Sequence, residues 1–296
     1  MSNAPSNILV SKKYTRKSRF AETVHRIGHN KGAVAGFVVL CVLFLVMLGS
    51  FLFINYDQVT KMDFTSQFAA PSREHIFGTD DMGRDLFLRT IYGTRYSFAI
   101  GFGALAVSIT IGVTLGVIAG FFGGWLDDII MRVSDILASI PGVLLGMVIV
   151  AVLGQSLINL IIAVGIGTIP DFARYSRASV IIVKSNEYIE SARAIGMPNA
   201  RIAFFRALPN SLSPLIVLAT TMMGGAILAA AGLSFLGFGI TAPTPEWGAL
   251  ISQGRNFIRV APHISFFPGI FIFIHCLSLN LLGDGLRDAL DPKLKK

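Results

Sequence analysis

Long runs of apolar residues, free of Asp, Glu, Lys and Arg, alternate with shorter polar segments along most of the chain. A helix needs about 20 predominantly apolar residues to cross a bilayer, and several runs reach that length. We predict membrane-spanning helices in residues 33–53, 97–126, 136–170 (two helices with a turn at Gly154-Gln155, the second continuing past Asp171 towards Val183), 214–235 and 260–283. The pattern therefore predicts an all-α integral membrane protein with six transmembrane helices.

Composition and charge support this interpretation. Of the 296 residues, 53% are hydrophobic and 14% are charged, whereas soluble domains average about 25% charged residues. A chain with six spans has both termini on one side, and the segments on that side hold 18 of the 25 Lys and Arg residues. Positive loops face the cytoplasm, so we predict cytoplasmic termini. The net charge of +8 then reflects topology rather than binding to nucleic acid.

This topology divides the chain into regions. Residues 1–32 form a basic cytoplasmic segment, and residues 33–54 form a first transmembrane anchor, which is too long for the apolar region of a cleaved signal peptide, about 7–15 residues. The remaining predicted regions are an extracytoplasmic loop (55–96), a core domain of five spans (97–286) with a cytoplasmic loop at 184–209, and a cytoplasmic tail (287–296).

Several classes of function lack their signatures in this sequence. It has no G-x-x-x-x-G-K-[ST] motif for ATP, no H-E-x-x-H, no G-x-S-x-G, and no histidine pattern with metal-ligand spacing. The cores of the predicted spans hold no charged residue, which disfavours an ion-coupled carrier. His275, Cys41 and Cys276 are best explained as packed core residues. A self-sufficient channel stays open as an alternative, whereas a membrane enzyme has no positive support.

Small residues are concentrated on two of the predicted spans. Gly112, Gly116 and Gly120 recur at four-residue spacing on one span, and the span at 214–235 is rich in glycine and alanine, including Gly224, Gly225, Ala231 and Gly232. Such residues allow helix backbones to approach closely. They could equally line a wide, chemically neutral translocation path, and the sequence leaves both interpretations open.

The loop at 187–210, EYIESARAIGMPNARIAFFRALPN, is patterned more strongly than an ordinary linker. Residues 187–195 predict a helix that ends with Gly196 in a left-handed conformation. Pro198 prevents its continuation, Asn199 caps a second helix at 200–208, and Pro209 closes it. Two apolar faces are predicted, one of Tyr188, Ile189, Ala192 and Ile195 and one of Ile202 and Phe205. This helix–glycine–helix unit fits either a pair of helices lying on lipid headgroups or a docking element for a soluble partner.

The same loop resembles the "EAA" motif of bacterial ABC-importer permeases. The matching residues are Glu190, Ser191, Ala192, Gly196, Leu208 and Pro209. Ser191 replaces the usual alanine and Arg206 replaces a usual aliphatic residue. In that family the motif forms a coupling helix that sits in a groove of the cytoplasmic ATPase.

Three further segments narrow the resemblance to the C-type permease subunit of dipeptide and oligopeptide (peptide/nickel class) importers. They are FGTDDMGRDLFLRTIYGTRYS (77–97), AAGLSFLGFGITAPTPEWGALI (230–251) and LLGDGLRDALDPKL (281–294). Together with the coupling motif and the first span, the resemblance extends from about residue 31 to the end of the chain.

The resemblance implies a type I ABC-importer permease fold in a bacterial cytoplasmic membrane. It implies a second homologous permease subunit, two ATPase subunits that bind ATP and Mg, an extracytoplasmic peptide-binding protein, and no cofactor in this chain. The implied cargo is a dipeptide or oligopeptide; nickel chelates, haem, opines and antimicrobial peptides are alternatives within the class. Asp80, Asp81, Arg84 and Trp247 are candidates for contacting the binding protein, with a purely structural outer cap as the competing interpretation.

Overall fold

The computed structural model describes residues 25–290. Most of the predicted basic segment (1–32) and residues 291–296 of the predicted tail therefore lie outside the described residues. The described part consists of helices and connecting turns, with no β-strand. Its helices are α1 (Lys31–Phe53), α2 (Tyr56–Thr60), α3 (Leu86–Ser108), α4 (Thr114–Phe122), α5 (Gly124–Ser139), α6 (Gly142–Leu153), α7 (Leu157–Lys184), α8 (Glu187–Ala194), α9 (Asn199–Ile202), α10 (Leu208–Asn210), α11 (Leu212–Phe235), α12 (Trp247–Gly254) and α13 (His263–Leu290).

Five stretches of the described residues are long and apolar enough to cross a membrane, and a bent pair of helices supplies a sixth candidate. The five are α1, the combined α3 and α4, α7, α11 and α13. A π-helical turn, Ile109–Val113, joins α3 to α4, so that residues 86–122 make one span. The prediction of an all-α membrane protein with about six spans is confirmed.

The limits of three predicted spans were wrong. The last span, α13, ends at Leu290 instead of residue 283. The second span begins at Leu86 instead of residue 97, and it ends at Phe122 because Gly123 and Gly124 both have positive φ angles, of 68° and 60°. The third region is the bent pair α5 and α6, whose axes differ by 90° across the break before Pro141. Proline has no backbone N–H and restricts the residue before it, which ends α5 at that point.

Helix α7 continues through Asp171 to Lys184, as predicted. Two of its charged residues, Arg174 and Arg177, pair with α5, which runs alongside it. Arg177 donates from Nε and Nη2 to the Asp127 carboxylate at 2.5 and 2.6 Å, and Arg174 donates to Asp135 at 2.9 Å. The charges are therefore neutralised between helices, which reduces the cost of placing them near the membrane.

The two ends of the bundle differ in structure. At one end lies a polar cap, which we define as residues 55–85 together with residues 236–262. At the other end lies the helix–glycine–helix unit. The described ends of the chain meet at the end that carries the unit, where the Asn30 amide donates to Asp288 at 3.4 Å and a Cβ on Gly285 would contact Ala33. Helices α1 and α13 thus pack together along their length.

Candidate functional site

The helix–glycine–helix unit is attached to the bundle by an apolar cluster. Ile189 and Ala192 of α8 and Ile202 of α9 are buried, at 0%, 7% and 0% exposure. They pack in one cluster with residues of α4 and α7, among them Phe121 and Val180. Burying an aliphatic side chain typically contributes about 1.5–3 kcal/mol. The unit is therefore packed firmly against two of the spans, so a displacement of the unit would also displace these spans.

Gly196 lies in the left-handed conformation predicted for it, with φ of +80°. The Gly196 N–H donates to the Arg193 carbonyl at 2.9 Å and the Met197 N–H donates to the Ala192 carbonyl at 3.1 Å. This pair of hydrogen bonds is the Schellman arrangement that closes a helix. A Cβ at position 196 would meet no atom within 4 Å, so glycine is required there by the backbone angle and not by a lack of space.

We expect Gly196→Val to destabilise the unit and Gly196→Asn to be tolerated. A non-glycine residue in the left-handed region costs about 1–3 kcal/mol, and β-branched side chains fit it worst, whereas asparagine adopts it comparatively readily. Limited proteolysis of the solubilised permease at the loop 195–200 measures the difference. Equal protease resistance in the two variants would show that the left-handed turn does not limit the stability of the unit.

The second half of the unit differs from the prediction. Pro198 is the residue that precedes α9, and Asn199 lies within that helix instead of capping it. A π-helical turn, Ala203–Ala207, follows, and Pro209 lies inside the first turn of α10, so it does not end a helix at residue 208. The helical conformation is continuous from Asn199 to Asn210, and the π-helical hydrogen bond from the Leu208 N–H to the Ala203 carbonyl lies directly before the proline.

The two predicted apolar faces are also only partly correct. Ile189, Ala192 and Ile202 face the bundle, but Tyr188, Ile195 and Phe205 are exposed by 41%, 78% and 74%. Ile195 lies beyond the last turn of α8, and the π-helical turn shifts Phe205 out of register with Ile202. These exposed side chains all belong to the unit, which follows α7 at one end of the bundle. Of the residues that match the EAA motif, Glu190, Ser191, Gly196 and Pro209 are exposed, Leu208 is half-buried and Ala192 is buried.

The glycines of the second span pack against α7. A Cβ on Gly112 would lie 2.7 Å from the Ile169 carbonyl oxygen, and one on Gly116 would overlap the Ala173 carbonyl oxygen. Gly120 is equally close to the backbone of Arg177. Close helix contact therefore explains this stripe, and its residues do not face an open path in the described part of the chain.

The small residues of α11 divide into two groups. Gly224 and Ala231 are buried against the same chain, Gly224 beside Cys276 of α13 and Ala231 beside Gly248 of α12. A Cβ on Gly225 or on Gly232 would meet no atom within 4 Å. These two glycines belong to a helical stripe that the chain leaves uncovered, made of Thr221, Gly225, Leu228, Gly232 and Phe235. We call it the α11 stripe.

The polar cap is organised around buried ion pairs. Asp80 and Arg84 are 0% and 1% exposed, and the Arg84 Nε donates to Asp80 at 2.7 Å. Trp247 is 0% exposed and donates from its indole N–H to the Thr90 carbonyl at 2.9 Å. The expectation that Asp80, Arg84 and Trp247 contact a soluble binding protein is therefore wrong for these side chains, because their own chain covers them. They stabilise the cap, which was the competing interpretation.

Asp81 is the one member of that predicted group with a partly exposed side chain. Burial raises the pKa of its carboxyl, and the neighbouring Asp80 raises it further. It accepts a hydrogen bond from the Gln253 side-chain amide at 3.0 Å, which ties residues 55–85 to α12. Asp81 therefore contributes to the cap while keeping an exposed edge.

Glu246 is a buried carboxylate that sequence reasoning missed. It caps α12 by accepting from the backbone N–H groups of Gly248 and Ala249, each at 2.8 Å, and it accepts from the Ser234 hydroxyl at 3.0 Å. Burial raises its pKa, and the two backbone hydrogen bonds oppose that shift. Glutamate is not among the residues preferred at helix N-caps, so the local sequence held no signal for this role. Glu246 links α12 to the end of α11.

His275 lies in the core of the bundle, as predicted. Its ring centroid is 4.6 Å from that of Phe98 and 5.8 Å from that of Trp247. Neither ring nitrogen has a hydrogen-bond partner among the described residues. It is a packed aromatic residue in this structure.

Comparison with known proteins identifies the family. Residues 112–296 match the family described as "Binding-protein-dependent transport system inner membrane component". The chain belongs to this family. The permease is 43% identical to the dipeptide transport system permease protein DppC of Alkalihalophilus pseudofirmus, over 100% of this chain and 97% of that protein. It is 46% identical to the glutathione transport system permease protein GsiD of Salmonella paratyphi A, over 88% of this chain and 86% of that protein.

The fold comparison agrees with this assignment. The permease superposes on a chain of the MetNI methionine ABC transporter in an inward-facing conformation with a TM-score of 0.58, at 20% identity and covering 70% of this chain and 98% of that one. It is thus a multi-pass inner-membrane subunit of an ABC importer with the type I permease fold. Membership of the family implies separate ATPase and binding-protein partners, and it makes this chain the membrane subunit of the transporter.

Proposed function

We propose that this permease imports dipeptides or oligopeptides, together with a second homologous permease, two ATPases that bind ATP and Mg, and an extracytoplasmic peptide-binding protein. The helix–glycine–helix unit is the observation that supports coupling between the permease and the ATPases. It is anchored to α4 and α7 by a buried cluster, yet it exposes Ile195 and Phe205 at the end of the bundle. An exposed apolar surface on a rigid support suits a soluble partner.

The direction of this arrangement follows from charge. The unit and the described ends of the chain lie at one end of the bundle, and the basic residues are concentrated in those segments. Positive loops face the cytoplasm, where ATP is available. We therefore place the unit in the cytoplasm, with Glu190, Ser191, Gly196 and Pro209 on the surface that meets the ATPase and Ala192 and Leu208 holding it in place.

The uncovered α11 stripe supports a second permease subunit. Thr221, Gly225 and Leu228 are exposed, and a Cβ on the partly buried Gly232 would meet no atom within 4 Å. The side chain of Leu228 is 61% exposed. Small residues there would let a second subunit approach closely or leave room for cargo at the boundary. A path without charged side chains suits peptides, because their side chains vary and none should be retained strongly.

The substrate class follows from the relatives. One transports dipeptides and another glutathione, according to their names, and both are peptides with a free carboxylate. Nickel chelates, haem, opines and antimicrobial peptides are the alternative cargoes within the same machine.

Uptake into proteoliposomes tests the proposal. The complete transporter, purified with both permeases and both ATPases, is expected to accumulate radiolabelled dipeptide or glutathione when the binding protein is outside and ATP is inside. Uptake should stop without ATP or without the binding protein. Peptide flux through this chain alone, independent of ATP, would contradict the proposal and favour the channel alternative, whereas ATP-dependent uptake of a nickel chelate or haem alone would change the cargo.

A further inference from the structure

A cavity of about 380 Å³ lies in the polar cap, between the end of α11 and helix α12. Its walls contain two guanidinium groups, Arg89 and Arg255, but no carboxylate. The other polar groups are side-chain amides and hydroxyls, including Gln155, Gln253 and Asn256. Such a lining offers many hydrogen-bond donors and a positive charge, which favours an anionic ligand.

The two arginines differ in how far their charge is already neutralised. Arg89 is 1% exposed, lies 3.4 Å from Asp80, and donates to the Val59 carbonyl and to Gln253. Arg255 is exposed, and no carboxylate of the described residues forms an ion pair with it. Its contacts are a hydrogen bond from Nη1 to the Phe235 carbonyl at 2.7 Å and the Phe235 ring at 5.3 Å. The positive charge available in the cavity is therefore that of Arg255.

Arg255 also lies at one end of the α11 stripe. Phe235 is the last residue of α11 and the final member of that stripe, after Leu228 and Gly232. The Arg255 guanidinium, which lies beside the Phe235 ring, is thus located where the α11 stripe reaches the polar cap. Any cargo that follows the α11 stripe would pass Arg255 at that end.

We infer that this cavity binds a carboxylate of the transported substrate, with Arg255 as its cationic partner. The inference rests on the proposed function and deepens it. Peptides differ in their side chains but share a terminal ammonium, a terminal carboxylate and the backbone. Of these groups, the carboxylate is the one that a lining with a guanidinium and no carboxylate suits. Arginine holds a carboxylate through paired N–H donors, and the amides of Gln155 and Asn256 are close enough to line the same site.

Uptake of two peptides that differ at one group tests this assignment. A dipeptide with a free carboxylate and the same dipeptide with a terminal amide are supplied to the complete transporter, and each variant is compared with wild type for each peptide. Preferences of the binding protein cancel in that comparison. Arg255→Gln is expected to lower uptake of the acid by about tenfold or more, since a charge-assisted hydrogen bond is lost, and to leave uptake of the amide unchanged.

Two further variants serve as controls. Arg255→Lys keeps the charge but loses the paired N–H donors, so it is expected to retain part of the uptake of the acid, more than Arg255→Gln retains. Arg259→Gln removes an exposed arginine of the same cap and should affect neither peptide. An equal loss of uptake of both peptides in Arg255→Gln would overturn the inference. That result would mean that Arg255 only holds the local structure through its contacts with Phe235. An unchanged uptake of the acid would overturn it as well.

Binding of the same peptides to the solubilised complex, without binding protein or ATP, separates this inference from the proposed function. Wild type should bind the acid at least about fivefold more tightly than the amide, a difference expected from one charged contact, and Arg255→Gln should remove the difference. That result can be obtained even where ATP-dependent peptide uptake fails. Equal binding of acid and amide by wild type would refute the carboxylate site while leaving the importer function intact.

Discussion

Replacing Phe205 with serine is expected to lower ATP-dependent peptide uptake by about tenfold or more, without changing the amount of permease in the membrane. Phe205 is 74% exposed on the helix–glycine–helix unit. Fully burying a phenylalanine contributes about 1.5–3 kcal/mol, which corresponds to about ten- to a hundredfold in affinity. A side chain that is exposed in the single chain and buried against the ATPase would supply this energy to docking. Titration of the ATPase onto the permease heterodimer in nanodiscs measures the loss directly.

Val260→Ser is the matched control for this substitution. Val260 is 75% exposed, but it lies in the polar cap at the opposite end of the bundle, so it should not affect ATPase affinity. Unchanged ATPase binding and unchanged uptake in Phe205→Ser would reject the docking role. Reduced membrane association of the unit, with normal ATPase binding, would instead support the interpretation that these helices rest on lipid headgroups.

The features that the sequence predicts well are those with a strong local cause. Apolar runs identify spans because the bilayer requires about 20 apolar residues of helix, and α1 and α11 lie within two residues of the predicted limits. Gly196 was predicted correctly because few residues other than glycine adopt a left-handed turn readily, and the following proline fixed the end of the helix.

Features that depend on contacts distant in the sequence were not predictable. The continuation of α7 past Asp171 was predicted, but the ion pairs of its arginines with Asp127 and Asp135 of α5 were not. Charged residues before the second span look like surface residues, yet Asp80 and Arg84 form a buried pair. The position of Phe205 depends on a π-helical turn, which residue spacing in the sequence does not reveal.

Gly116→Val and Gly225→Val are expected to fail in different ways, although each adds the same branched side chain to a helical glycine. At Gly116 the new Cβ would overlap the Ala173 carbonyl oxygen and lie 2.7 Å from the Ser176 Cβ. Overpacking of this kind costs about 1–3 kcal/mol and sometimes more. We therefore expect less folded permease in the membrane and a lower unfolding temperature, measured by size-exclusion chromatography of heated, solubilised protein.

At Gly225 the added side chain meets nothing within 4 Å in its own chain, so the unfolding temperature of the isolated permease should change little. The α11 stripe is proposed to face the second permease or the cargo, and a valine there would obstruct either one. Gly225→Val should therefore reduce recovery of the heterodimer or, with the heterodimer intact, reduce peptide uptake. Normal assembly together with normal uptake would place the α11 stripe against lipid. If Gly225→Val lowered the unfolding temperature of the isolated chain as much as Gly116→Val does, the conclusion that position 225 is uncovered would be contradicted.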